Sequence, residues 1–161
     1  MITYHCNDVS TIEDATALCV EVFPDKSGFK DKYYNVDYWH KLIDNNGFLV
    51  TAYDGDIIVG FAVCYEKSDE ALHIWMVGVK ESHRDQGIWT EMYRRIHEYA
   101  LEREYKKISV HVYQLRSPRM YNFVSSRSFF VTNVSDMGEH RGVRTTFETL
   151  LSNKDSAMAE Q

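Results

Sequence analysis

The chain has 161 residues, and its 18 Lys and Arg against 24 Asp and Glu leave a net charge of −6. That length suits one domain burying roughly 70% of the surface its unfolded form exposes, and the acidic balance excludes a general nucleic-acid binder, which needs a basic footprint. With 44% hydrophobic residues but no signal peptide and no apolar run long enough to span a bilayer, the composition also excludes a membrane-spanning helix.

In chain order, "MITYHC" (1–6) alternates and predicts a first strand. Ser10 and Glu13 have the spacing of a capping box, and Ile12, Ala15, Leu18, Cys19 and Val22 follow at helical period. The stretch 24–34, polar with Pro24 and Gly28, predicts a loop. Asn35 suits the cap of a second helix with Trp39, Leu42 and Ile43 on one face, ended by "DNNG". "FLVTAYDGDIIVGFAVCY" predicts a hairpin turning at Asp54-Gly55, and a third strand runs from about Ala71 to Val79. From Ile88 the period becomes helical, with Trp89, Met92, Tyr93, Ile96 and Ala100 on one stripe. "KKISVHVYQ" (106–114) is a strand, and Ser117-Pro118 starts a helix that runs to about Arg127, with Ser117 as its cap. "FFVTNV" and "VRTTFETLL" close the chain as two strands, and the tail from Ser152 to Gln161 is expected to be disordered. The order β-α-α-β-β-β-α-β-α-β-β predicts a mixed α/β (α+β) fold. Its sheet would be mostly antiparallel, of about seven strands flanked by about four helices, in one domain over residues 1–151.

The three cysteines, Cys6, Cys19 and Cys64, form no CxxC pair. Their odd count in apolar settings predicts buried free thiols in a reducing compartment, hence the cytoplasm. The seven histidines lack HExxH or paired Cys/His spacing, so no metal is expected. "HRD" at 83–85 stands in a chain too short for a kinase, and neither GxxxxGK nor GxGxxG occurs.

The most informative stretch is the strand-to-helix junction Val79, Arg84-Asp85-Gln86-Gly87-Ile88-Trp89. It resembles the acetyl-CoA loop of the GCN5-related N-acetyltransferase (GNAT) superfamily, Arg/Gln-x-x-Gly-x-Gly/Ala after a Val, and the element order resembles that family over about residues 1–151. A helix N-terminus offers unpaired backbone N–H groups and partial positive charge, which a pyrophosphate satisfies. Gly87 lets the backbone approach closely. The resemblance implies that amides from Gln86 through Gly87, Ile88 and Trp89 to Thr90 hold the pyrophosphate, with charge from Arg84. It also implies that the backbone at Val77 and Val79 lines the thioester and pantetheine, with Gly78 available for a bulge. Trp89 replaces the family's usual small residue. Either its place on the helical stripe points its ring into the core, leaving only its amide to the cofactor, or its ring contacts the pantetheine or blocks the pocket.

Acetyl transfer needs a neutral amine, donors for the oxyanion and a departing thiolate. In some members of the family a Glu base stands eleven residues before the loop's Arg/Gln; here that position is His73, whose free imidazole titrates near ~6.5, so His73 is a candidate base or, following a turn, an ordinary strand-edge residue. Alternation puts His73 on the same side of its strand as Trp75, Val77 and Val79. Glu66, His111 and Tyr113 are further candidates without a spacing argument. In the family's second motif, Asn-x-x-Ala through a helix to Tyr and Gly-Phe, Ser117 stands for Asn, Met120 for Ala and Ser128-Phe129 for Gly-Phe. The Tyr that acts as general acid aligns with Val124, and Tyr121 lies one turn earlier on nearly the same face; it is a candidate acid or a packing residue. The resemblance thus implies an acetyl-CoA-dependent N-acetyltransferase acting on a small-molecule or protein amine, or else an acyl-CoA-binding regulatory module without turnover. The acidic balance, with Asp25, Asp31, Asp37, Glu66, Asp69 and Glu70, favours a cationic acceptor. No nucleic-acid or membrane partner is expected, and the oligomeric state stays open, a homodimer included.

Overall fold

The computed structural model describes residues 1–24, 34–113, 117–139 and 141–151. The 152–161 tail, Gln114 at the end of the fifth predicted strand, and Asp25 and Asp31 lie outside the described residues. Strands β1 (Ile2–Cys6), β2 (Phe48–Asp54), β3 (Ile57–Ser68), β4 (Ala71–Val79), β5 (Lys107–Tyr113), β6 (Phe130–Asp136) and β7 (Val143–Leu150) form a seven-stranded sheet in the order β1-β2-β3-β4-β5-β7-β6. Helices α1 (Ile12–Val22), α2 (Val36–Asp44), α3 (Ile88–Glu102) and α4 (Pro118–Ser125) are interleaved as the periodicities predict. The β4–β5 pair is parallel, whereas β1–β2, β2–β3, β5–β7 and β6–β7 are antiparallel. The parallel ladder runs from Ala71 opposite Lys107 to Ile74 opposite Val110.

The chain divides into two compact units, residues 1–66 with 75–99, and residues 67–74 with 100–161. In the first, β2 and β3 are buried over most of their length, as near-continuous apolar runs require. One core joins Ile12, Ala15, Leu18 and Cys19 of α1, Trp39 of α2, and Leu49, Phe61, Val63 and Met76 of the strands. Trp39 is fully buried, with ring centroids of Phe61 and Trp75 at 5.7 and 6.0 Å. Elsewhere in the same unit α3 packs on β3 at Gly60, where a Cβ would lie 3.0 Å from Ile88 Cγ2. In the second unit Leu72, Ile74, Ile108, Val110, Val112, Val124 and Phe147 are buried, and Tyr121 of α4 meets Phe147 edge-on at 5.6 Å.

Local details depart from the sequence reading where a competing polar group wins. Asp8, not Ser10, does the capping. Its carboxylate accepts from the Ser10 amide (3.0 Å) and hydroxyl (2.6 Å) and caps the 3-10 turn Val9–Thr11, so the Ser10–Glu13 capping box does not form. Asn35 does cap α2, accepting from the Tyr38 amide at 3.0 Å. Ser117 precedes α4 without a side-chain cap bond. The hairpin turn is Gly55-Asp56, one residue later than expected, because Asp54 pairs with Ile57 and Gly55 takes φ +63°. Cys6 is exposed, against the expectation of three buried thiols; Cys19 and Cys64 are buried.

Gly78 is where the strand leaves no room for a side chain. A Cβ there would lie 2.5 Å from Phe61 Cε1, whose ring is fully buried. Overpacking of this kind costs about 1–3 kcal/mol. Gly78→Ala should therefore destabilise the protein by that amount in urea unfolding, and Phe61→Leu on the same background should recover part of it. Equal stability of parent and Gly78→Ala would show that the ring is not held there.

Candidate active site

The loop that follows β4 is braced at several points. The Lys80 amide donates to Val59 O (2.8 Å), and its ammonium pairs with Glu21 (3.0 Å). A 3-10 turn, Glu81–His83, brings His83 Nε2 to 2.9 Å from Asp54 Oδ2, while His83 Nδ1 meets Ser82 Oγ at 2.7 Å. The bond from His83 holds the Asp54 carboxyl below its usual range. Arg84 turns back, its Nε donating to Val79 O at 3.1 Å. Val79 is the last residue of β4, so the Arg84 side chain ties the loop to the end of the strand.

Two residues in this turn take positive φ, Asp85 (+63°) and Gly87 (+82°). The Gly87 carbonyl accepts from the Glu91 amide at 3.0 Å, the first intrahelical bond of α3. The amides between them have no acceptor within the helix and point from its positive end. A Cβ on Gly87 would meet nothing within 4 Å. Glycine is needed there for its φ, which L residues rarely adopt, and the space beside it is open to a ligand. The junction is thus a braced turn ending in a helix N-terminus, whose first amides take no acceptor from the helix's own ladder. That arrangement fits a phosphate-bearing group.

The side chains around it divide clearly. Ile88 is buried, so only its backbone can serve a ligand; Gln86 and Thr90 are exposed. The buried stripe of α3 is Ile88, Met92, Ile96 and Ala100. Trp89 is therefore one residue off the stripe it was expected to share. It is half-buried, with its ring 5.7 Å from that of Tyr93. Val77 and Val79 are half-buried, alternating with buried Met76 and Gly78, so their face of the strand end is the more open one.

Of the other predicted residues, Glu66 belongs to the first unit, whereas His73, His111, Tyr113, Ser117 and Tyr121 lie in the second. His73 is 2% exposed, with Nδ1 2.7 Å from Ser109 Oγ and its ring 4.4 Å from that of His111. Burial, and then the positive charge of His111, Lys67 and Arg144, push its pKa down to about 3. The near-neutral titration expected of His73 is therefore not what its surroundings impose. Half-buried His111, with Nδ1 2.9 Å from Thr146 Oγ1, is pushed down to about 4 by burial, Arg144 and Lys67. Tyr121 is half-buried, its ring edge-on to that of Phe147 at 5.6 Å. Ser117 meets α4 through its carbonyl, which accepts from the Tyr121 amide at 3.0 Å. Sequence reasoning missed the Asp54–His83 brace, whose partners are far apart in the chain, and the residue facing Tyr113 across the β5–β7 ladder, Arg144. Among the described residues no helix is long and apolar enough to cross a membrane, and no group of three or more His, Cys, Asp or Glu is placed to hold a metal.

Residues 12–124 match the family model described as the Acetyltransferase (GNAT) family. No curated protein sequence matches. Among solved structures the chain is similar to yncA of Salmonella typhimurium with its cofactor acetyl-CoA (13% identity, 94% of this chain and 95% of that one, TM-score 0.78). It is similar also to Ard1 of Thermoplasma volcanium (14%, 94% and 99%, TM-score 0.77). A third is a GNAT family acetyltransferase of Elizabethkingia anophelis with acetyl-CoA bound (19%, 93% and 98%, TM-score 0.69). At these identities the likeness is one of fold.

The depressed imidazoles have a consequence for stability. Unfolded, His73 titrates near ~6.5, whereas folded it titrates near 3. Between those values the unfolded chain binds the extra proton, so stability is complete above pH 6.5 and falls as pH drops through the window. The slope should approach about 1.4 kcal/mol per pH unit for a group so placed. Urea unfolding from pH 7 to 4.5 should show that loss, and His73→Gln should flatten the slope. Parallel slopes in parent and variant would assign the acid sensitivity to other groups.

Proposed function

Because the chain belongs to the acetyltransferase (GNAT) family, we propose that it transfers an acetyl group from acetyl-CoA to a primary amine of a small molecule or protein. The observation that carries the reading is the junction from Val79 to Glu91. Its Gly87 at φ +82° opens a helix whose first amides lack intrahelical acceptors, beside open space. In this reading the backbone from Gln86 to Thr90 holds the pyrophosphate of the cosubstrate, and the β4 backbone at Val77 and Val79 lies along the pantetheine. Arg84 plays two parts, bracing the turn through Nε and adding positive charge. Trp89 contributes its amide, with its ring laid toward Tyr93. Acetyl-CoA supplies the activated thioester.

The amine must attack as the neutral base. A conjugate acid near 3 leaves His73 roughly seven units below an alkyl ammonium at ~10.4, so it does not deprotonate the resting substrate. Its part is to hold Ser109 and the strand pair on which both stand. The neutral fraction of amine then enters directly, and Tyr121 is the candidate proton donor to the leaving sulfur. The single-domain reading of residues 1–151 is supported by a family match that draws on residues of both compact units. We place the protein in the cytoplasm, acting without nucleic acid, membrane or metal. A module that binds acyl-CoA without turnover is the second reading. It is favoured by Val124, which is 1% exposed where the family places its Tyr.

Thiol release from acetyl-CoA with and without a panel of amines tests the proposal. Amine-dependent release supports transfer; stabilisation by CoA on heating with no release supports the module. Gly87→Glu should weaken acetyl-CoA binding by about tenfold or more, since charge and strain both enter the loop. Unchanged affinity in a variant with a parental circular dichroism spectrum would move the cosubstrate elsewhere.

The rate constant should rise with pH toward the pKa of the amine. In His73→Ala that profile should keep its shape, shifted at most in height. A profile that loses its basic limb only in the variant would return His73 to the role of base.

A further inference from the structure

The β5–β7 pair has one apolar face and one polar face. Val110, Val112 and Phe147 are buried on the first, where Tyr121 packs. On the other, His111 stands opposite Thr146 and Tyr113 opposite Arg144. Residues two apart on a strand share a face, so these four side chains form one patch.

The patch is short of an anion. Among the described residues, Arg144 Nε and the Tyr113 hydroxyl are both shut off from solvent without a hydrogen-bond partner, although each residue as a whole is only half-buried. Buried polar atoms are nearly always paired, and here two orphans sit on directly opposed residues. Among the described residues no carboxylate lies within ion-pair distance of Arg144. The one carboxylate on this face of β7, Glu148, is engaged by Lys107 at 3.4 Å. A second guanidinium, that of Arg141, lies 5.4 Å above the Tyr113 ring. The positive charge of Arg144 and Lys67 is also felt by both neighbouring imidazoles, which it drives toward their neutral forms.

We propose that this patch is the recognition site for a carboxylate carried by the acceptor, with Arg144 and Tyr113 as its specificity-determining residues. A guanidinium presents parallel N–H donors that match the two oxygens of a planar carboxylate, and a phenol adds one O–H donor beside them. Binding supplies an acceptor to both orphans at once. The acceptor is then an amino acid or similar amine–acid, not a simple polyamine. The inference rests on the transferase reading for the identity of the amine, while the carboxylate preference rests on the patch alone.

The test uses the full chain and a set of α-amino acids, each paired with its carboxamide. It reads acetyl-CoA-dependent thiol release and, separately, the shift in thermal unfolding caused by each compound. The acids should show KM lower than their amides by about tenfold or more, as one charge-assisted hydrogen bond implies. Arg144→Gln should remove that difference by raising KM for the acids while leaving kcat and the amides nearly unchanged, and Tyr113→Phe should do so in part. Circular dichroism checks that both variants fold. If no amine releases thiol but the acids still stabilise the parent and not Arg144→Gln, the subsite stands and the transferase reading falls. If acids and amides are used equally, or Arg144→Gln weakens both alike, the subsite is overturned and the transferase reading stands.

Discussion

The close approach of Phe61 to Gly78 constrains much of the first unit. The ring fills the space a side chain at 78 would take and also packs on Trp39, which holds α2 in the same core. It therefore fixes the last stretch of β4 against β3, and the loop begins where that stretch ends. The Lys80 amide then bonds to Val59, on the same strand as Phe61, and Arg84 reaches back to Val79. A helix N-terminus binds phosphate only if its amides are held still before the ligand comes; otherwise the ordering cost is taken from affinity. The braces at Lys80, His83 and Arg84 have that effect on the approach to Gly87.

Much of this was legible in the sequence, because it rests on periodicity and on glycine chemistry. Among the described residues, the order of strands and helices follows from apolar spacing, and the cap at Asn35 from a residue type with one strong use. The Gly87 turn was legible because a polar loop with one glycine between a strand and a helix has few other solutions. What was illegible depended on partners remote in the chain. Whether Ser10 or Asp8 caps the first helical turn depends on which oxygen is aimed at the amides, and Asp8 takes that place. The sequence places Trp89 on the α3 stripe, yet Ile88 is the residue that faces Gly60. A shift of one residue rotates a side chain by about 100° around the helix, which is enough to change its surroundings from core to half-exposed.

His73 shows the limit more sharply. Its spacing from the loop marks it as a candidate base on resemblance, and nothing in the local sequence says that it is sealed. The burial comes from its neighbours in the ladder, Ser109 and His111, and the charge from Lys67 and Arg144. An imidazole needs solvent or a carboxylate partner to hold a proton, and here it is buried beside cationic neighbours instead. The same arrangement makes it a firm hydrogen-bonding partner, since a neutral Nδ1 either donates to the Ser109 hydroxyl or accepts from it, according to the tautomer.

The electrostatics of the two units then read differently from the net charge. The chain as a whole is acidic, and the sequence alone favours a cationic acceptor. Net charge acts over about 8 Å at physiological ionic strength and governs encounter. Local groups govern what is held once solvent is displaced. On the polar face of β5 and β7 those groups are cationic, and among the described residues no carboxylate pairs with Arg144. An acceptor with an amine and a carboxylate answers both fields. Its ammonium end is favoured by the acidic surroundings on approach, and its carboxylate by the guanidinium on arrival. In the proposed transfer the amine has to lose its proton, and a His73 imidazole pushed down to about 3 leaves that loss to water or to a step before binding.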